Sequence, residues 1–119
     1  LQGLVARHRA SGAIATLGLV TEVALHAGVA EVAPDGRVTR FVEKPPLPLW
    51  CNAAVGVYNR RVLEYCGPNK DFGNHVLPEL IAAGENVQGF CDAEADWLDV
   101  GRLSDLDEAA ALTRKWEGA

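Results

Sequence analysis

The chain is 119 residues long, 49% hydrophobic and 23% charged, with 11 basic residues against 16 acidic and a net charge of −5. That is the balance of an ordinary globular protein, and the length accommodates one domain over residues 1–119 with a modest core. The basic residues never run together, which argues against nucleic acid or an anionic membrane as the main partner, although a local basic group can still meet a phosphate.

The three cysteines, Cys51, Cys66 and Cys91, are odd in number and lack C-x-x-C spacing. Free thiols in a reducing, cytoplasmic setting are the expectation, and zinc is not. No apolar run reaches transmembrane length and no signal peptide is recognisable. The sequence contains no Met, and Leu1 opens directly into a helical pattern. Residues ahead of Leu1 in the natural product are therefore expected.

In chain order, Leu1, Leu4, Val5 and His8 share one helical face, with Arg7 and Arg9 toward the C-terminal end and Gly12 as a stop. Residues 13–20 form an apolar run of strand length, the pattern of a strand covered on both faces. Residues 28–33 and 37–43 read as two strands joined at Pro34-Asp35-Gly36, a hairpin signal. Pro45-Pro46-Leu47-Pro48 excludes helix and central strand and reads as a loop, or as a polyproline ligand for a partner domain. Residues 53–58 read as a further covered strand, followed by a short helix or turn over 59–66.

Residues 71–83 carry Phe72, Val76, Leu80 and Ala83 at helical spacing, with Gly84 as the stop. Pro78 interrupts this pattern, so the regular helix either begins near Leu77 or is kinked there. Residues 87–91 and 96–100 read as strands. A last helix starts at Ser104, which pairs with Asp107 in a capping-box-like arrangement, while Asp105 and Glu108 add charge to its first turn. Leu106, Ala109, Leu112 and Trp116 form its apolar stripe. Trp97 and Trp116 read as packing residues, and Trp50 as exposed at a ligand mouth or interface.

Two stretches carry residues suited to chemistry. In Trp97-Leu98-Asp99-Val100-Gly101 an acidic residue sits between a predicted strand and a helix start. A buried carboxylate there requires a partner, solvent or a metal; the other reading is an Asp that caps or salt-bridges a neighbouring loop. Asp96, three residues away on the same predicted strand, points to the opposite face. In Phe41-Val42-Glu43-Lys44-Pro45, a Glu able to accept from sugar hydroxyls stands beside a Lys able to meet a phosphate; the other reading is an exposed strand end. Gly28 either admits close backbone approach to a ligand or serves a turn. His8 reads as a core-edge residue, and His26 and His75 lack metal-ligand spacing. There is no nucleophile elbow, P-loop or G-x-G-x-x-G.

Taken together, Gly28-Val29-Ala30-Glu31-Val32, Pro34-Asp35-Gly36-Arg37-Val38, Phe41-Val42-Glu43-Lys44-Pro45, Asn52-Ala53-Ala54-Val55, Asp71-Phe72 and Trp97-Leu98-Asp99-Val100-Gly101 resemble the sugar-phosphate nucleotidyltransferases. These are the mannose-1-phosphate guanylyltransferases, the glucose-1-phosphate thymidylyltransferases and their relatives. The resemblance covers nearly all of the chain but matches only the C-terminal half of the family's catalytic domain. It implies an α/β fold, half of a Rossmann-like domain, with a mixed β-sheet flanked by helices. It also implies transfer of a nucleotidyl group from a nucleoside triphosphate to a sugar 1-phosphate, assisted by Mg2+. By this resemblance Asp99 is the second metal-binding Asp and the catalytic carboxylate. Glu43 holds sugar hydroxyls, Lys44 meets the sugar phosphate, Gly28 lies against the sugar, and Asn52 is the Asn of the mannose branch.

Departures from the pattern are Ala54 for a usual Gly, Gly56 for a frequent Tyr, and Arg102 for the Thr that follows the W-x-D-x-G motif. The family's Gly-rich nucleotide loop, Pro-Lys segment and first metal-binding Asp have no counterpart in this sequence. The 119 residues alone are therefore expected to be inactive. An open sheet edge is expected to pair with a second copy or with a missing N-terminal half. The alternative is a truncated, non-catalytic dimeric module that binds at most a sugar phosphate.

Overall fold

In a computed structural model, residues 1–119 are described except Glu22, Ala24, Leu47, Arg102, Ser104 and Ala119. The first helix, α1 (Gln2–Ser11), ends at Gly12, whose φ of 60° is left-handed. A residue without Cβ adopts that conformation at no steric cost, so the stop falls where the sequence places it.

The apolar run that follows forms β1 (Ala15–Val20). It is the central strand of a three-stranded sheet, antiparallel to β4 (Cys51–Tyr58) on one side and parallel to β5 (Val87–Cys91) on the other. Alternation along β1 divides its side chains between two layers. Thr16 is fully buried toward α1, with its hydroxyl 2.9 Å from Nδ1 of His8. Gly18 lies on the same face, close to Val55 and Leu4. On the other face Ala15 joins Ile14, Val62, Val76 and Leu80 in the main apolar cluster.

That second layer is built by a 3₁₀ turn (Arg60–Glu64), a π turn (Phe72–Val76) and α2 (Leu77–Ala82). Pro78 explains the division. Its missing N–H is harmless only in a first turn, so the regular helix begins at Leu77 and the preceding residues take a wider turn. Asp71 starts that turn by accepting a hydrogen bond from the backbone N–H of Asn74 at 2.7 Å.

The hairpin forms as the sequence indicates, from β2 (Val29–Val32) and β3 (Val38–Val42), but as a separate two-stranded sheet. Its turn is closed by backbone bonds between Ala33 and Arg37 and between Gly36 and Ala33, each 2.9 Å. Val29, Val32, Val38 and Phe41 all remain exposed.

Three expectations are corrected. Residues 96–100 form no strand; none of the described strands pairs with them, and the segment is held by side-chain hydrogen bonds instead. Residues 53–58 are not a covered strand. They belong to β4, which begins at Cys51, lies at a sheet edge and leaves Val55 and Tyr58 partly exposed. The stripe of the last helix, α3 (Asp105–Glu117), is only half used. Ala109 and Leu112 are partly covered, but Leu106 and Trp116 are 52% and 56% exposed, because none of the described elements packs broadly against them. The pairing of Ser104 with Asp107 and the departure at Arg102 lie outside the described residues.

The result is a mixed α/β sheet flanked by helices, with an open outline of 50 × 47 × 28 Å. The radius of gyration is 18.2 Å, against about 13–14 Å for a compact chain of this length. The accessible surface is 8642 Å², against roughly 6,200 Å² for a compact monomer of this mass. The three cysteines are free. No helix among the described residues is long and apolar enough to cross a membrane.

Candidate functional site

The connection that leaves β1 and the segment that bears Asp99 meet beyond the carboxyl ends of β1 and β5, where ligands bind in open α/β sheets. The connection that leaves β1 at Val20 supplies Thr21, Val23 and His26 to one wall of a cleft of about 270 Å³. The opposite wall comes from Ala95, Trp97, Leu98 and Asp99 and from the start of α3, with Asp105 and Glu108. Thus Asp99 faces a cleft rather than a loop cap. It is exposed, however, whereas Trp97 and Leu98 beside it are half-buried. The burial expected from its apolar neighbours does not extend to its carboxylate.

Gly28 and Glu43 are brought together directly. A Cβ on Gly28 would collide with the ring of Phe41 and lie 3.1 Å from Glu43 Oε2. Here the absence of a side chain lets the hairpin base close over the backbone of the connection. Lys44 follows with φ 44°, an uncommon left-handed conformation for a lysine that turns the chain sharply out of β3. The carbonyl of Pro45 then accepts a 3.1 Å bond from the N–H of Leu25, tying this turn to the same connection. Neither Glu43 nor Lys44 lines the Asp99 cleft.

Asn52 stands opposite Leu19 at the start of β4. Its side-chain oxygen accepts from the N–H of Ala54 at 3.1 Å, and Ala54 itself has φ 57°. The β1–β4 register slips here: Leu17 pairs with Gly56 but Leu19 with Asn52, which leaves residues 53–55 as a bulge. The indole nitrogen of Trp97 donates to Ala53 O across this bulge at 3.1 Å. Asn52 and Asp99 are therefore joined through three intervening residues, Ala53, Trp97 and Leu98.

Asp96 does diverge from Asp99, though not by strand alternation. Its carboxylate accepts two bonds from Lys115 Nζ, at 2.9 and 3.1 Å, and one from the Trp116 indole at 3.0 Å. The Lys115 bonds, and then that of Trp116, hold its pKa below the ordinary carboxylate value. Trp116, read from the sequence as packing, is mainly a hydrogen-bond donor.

The sequence reading missed the acidic lining supplied by α3. Asp105 and Glu108 were legible only as first-turn charges that suit a helix dipole. His26, in the facing wall, had no spacing signal. Among the described residues, no group of three or more His, Cys, Asp or Glu side chains is placed to hold a metal ion.

Residues 1–115 match the family described as "Nucleotidyl transferase". The chain belongs to this nucleotidyl transferase family. Among its curated relatives is a glucose-1-phosphate adenylyltransferase of Geobacter metallireducens, 33% identical over 129 aligned positions that cover 87% of this chain. Another, from Trichlorobacter lovleyi, carries the same name and is 31% identical over 128 positions that cover 86% of this chain. The chain spans 31% of the length of each of these relatives. The nucleotidyl transferase assignment agrees with the resemblance read from the motifs at the level of the family. The branch does not follow, since these relatives are named for adenylyl rather than guanylyl or thymidylyl transfer.

Proposed function

We propose that this nucleotidyl transferase chain supplies the sugar-phosphate side of a site that joins a sugar 1-phosphate to a nucleoside monophosphate. The reading is supported most by one observation. The hairpin base bearing Gly28 and Glu43 is tied to the connection that leaves β1, which forms a cleft with the Asp99 segment, and the β4 bulge beside Asn52 is bonded to that segment through Trp97. The names of the relatives favour glucose 1-phosphate as the first ligand to test.

In the reaction, a phosphate oxygen of the sugar 1-phosphate attacks the α-phosphorus of the triphosphate. A P–O bond forms there, the bond to the bridging oxygen breaks, and pyrophosphate leaves. Glu43 accepts from sugar hydroxyls, and Lys44 neutralises the sugar phosphate from its turn. Gly28 leaves room for the sugar against the backbone, and Asn52 offers its amide at the strand end. Such transfers depend on positioning and electrostatics rather than on a covalent protein intermediate.

Asp99 is the residue that would hold Mg2+. A single hard carboxylate beside substrate phosphates fits the protein's usual share of that ion's ligands. When bound, Mg2+ would neutralise phosphate charge. With no counterpart of the family's first metal-binding Asp and no Gly-rich triphosphate loop in the sequence, the 119 residues alone bind sugar phosphate without turnover. Calorimetric titration with glucose 1-phosphate, with and without Mg2+, tests this. Wild type should bind, and Asp99→Asn should abolish the Mg2+-dependent gain while keeping sugar binding. An unchanged gain in Asp99→Asn sinks the metal role, and pyrophosphate release by the purified chain sinks the inactivity.

A second reading is a self-associating, non-catalytic module. It is favoured by the unpaired outer edge of β4 among the described strands and by the large accessible surface. Sedimentation over a range of concentrations separates the two, since a monomer throughout is incompatible with it.

A further inference from the structure

The β4 bulge poses a physical question: what keeps Ala54 left-handed? For a residue with a Cβ that conformation costs about 1–2 kcal/mol, and it persists only where the surroundings over-determine it. Residues 53–55 have no partner on β1, so the strand ladder does not impose it. Two hydrogen bonds do. One is local, from the N–H of Ala54 to Asn52 Oδ1 at 3.1 Å. The other comes from 44 residues away in sequence, from the indole of Trp97 to Ala53 O at 3.1 Å.

Trp97 belongs to a segment with no ladder of its own, so the same bond also fixes that segment. The indole stands between two clefts. It lines the Asp99 cleft, and it lines a second, mostly apolar one of about 250 Å³ formed with Leu4, Leu19, Val55 and Phe90. An indole N–H is a donor only and must find an acceptor when half-buried. Ala53 O provides it.

We infer that Trp97 is a positioning residue whose indole N–H locks the β4 bulge, and with it Asn52, in fixed register with Asp99. The inference rests on the proposed roles of Asn52 and Asp99 for its functional meaning, but its geometry stands on the hydrogen bonds alone. Displacing either end displaces the other, which makes sugar placement and the Asp99 carboxylate a single adjustable unit. A tryptophan that only fills space would leave the two ends independent.

The test uses Trp97→Phe, which keeps an aromatic ring and removes the donor, and reads backbone order by 15N NMR relaxation. Order parameters are expected to fall from about 0.85 in wild type toward about 0.6 at residues 52–55 and at residues 98–101 together, with β1 and β5 unchanged. A fall at only one of the two segments, or at neither, overturns the inference. Should Trp97→Phe fail to fold, the wild-type indole N–H decides: protection from solvent upholds the bond, and free exchange overturns it. Titration with glucose 1-phosphate and Mg2+ runs in parallel. Absence of binding by wild type rejects the functional reading, whereas a coupled loss of order without ligand still upholds the positioning role.

Discussion

The sheet β4-β1-β5 and the hairpin β2-β3 are held together by different forces. In the sheet, β1 is covered on both faces, and Ala15, Val76 and Leu80 lose nearly all contact with water. In the hairpin, every residue of β2 is exposed, and of β3 only Val42 is partly covered. An isolated two-stranded hairpin is marginal in water; this one depends on its turn, its ladder and the closure of Phe41 and Glu43 over Gly28. The proposed site residues lie where the rigid region meets the loose one. Asn52 is anchored in the sheet, Glu43 and Lys44 close the hairpin, and Asp99 hangs from Trp97 between sheet and helix. Stability and ligand binding should therefore respond to different mutations.

The largest expected effect tests the rigid side. Leu80 is fully buried against Ile14, Ala15, Val62 and Val76, and Leu80→Ala should cost about 2–5 kcal/mol by lost burial and cavity formation. Phe41 is a larger side chain but 62% exposed and packed only on Gly28 of the hairpin base, and Phe41→Ala should cost no more than about 1 kcal/mol, by loosening the hairpin alone. Urea denaturation of the two variants checks the contrast. Equal losses would mean that the hairpin is covered in solution, as a second copy seated on it would require.

A smaller effect on stability, but a clear one on binding, is expected at Gly28. The added methyl of Gly28→Ala meets the ring of Phe41 and the carboxylate of Glu43. Both are ends of side chains that can swing into solvent, so the fold should lose less than about 1 kcal/mol. Glu43 must move, however, and affinity for glucose 1-phosphate should fall by about ten-fold, because a displaced charge-assisted hydrogen bond is worth roughly 1.5–3 kcal/mol. Calorimetry beside a melting curve separates the two effects. Loss of stability with unchanged affinity would remove Gly28 and Glu43 from the site.

How legible this was in the sequence follows the same border. The continuous apolar run at residues 13–20 announced a central strand, and Pro34-Asp35-Gly36 announced the hairpin turn, because both signals are local. Pro78 placed the start of α2 for the same reason. The segment around Asp99 misled. Trp97-Leu98-Asp99-Val100 has the composition of a strand, but a strand exists only beside a partner, and no sequence pattern says that one is lacking. The bulge in β4 was only partly legible: Asn52-Ala53-Ala54-Val55 contains no Gly, the usual mark of left-handed backbone, although Ala54, with φ 57°, stands where the resembled family usually has one. Of the site, Gly28 and Glu43 proved to be neighbours. The acidic wall from Asp105 and Glu108 arises from how α3 is laid across the cleft, which its own residues do not specify.

What lays α3 there is the subject of the smallest effect. The helix buries little, and its far end is pinned where Asp96 accepts from Lys115 and Trp116. These bonds stabilise the charged carboxylate, so its pKa in the folded chain lies below the unfolded value. A depressed carboxylate contributes fully above its unfolded pKa, and the contribution disappears as pH falls through the folded one. The pin should hold at neutral pH and release only in acid, below about pH 4. Release frees the Trp116 indole to water, so its fluorescence should shift to the red across that acid window in wild type. In Asp96→Asn the amide oxygen can still accept from Trp116, but the charge that holds Lys115 is gone, and the acid step should vanish. A step of equal size in Asp96→Asn would mean that another carboxylate governs the end of α3, and that the helix reaches the cleft by packing of Ala109 and Leu112 instead.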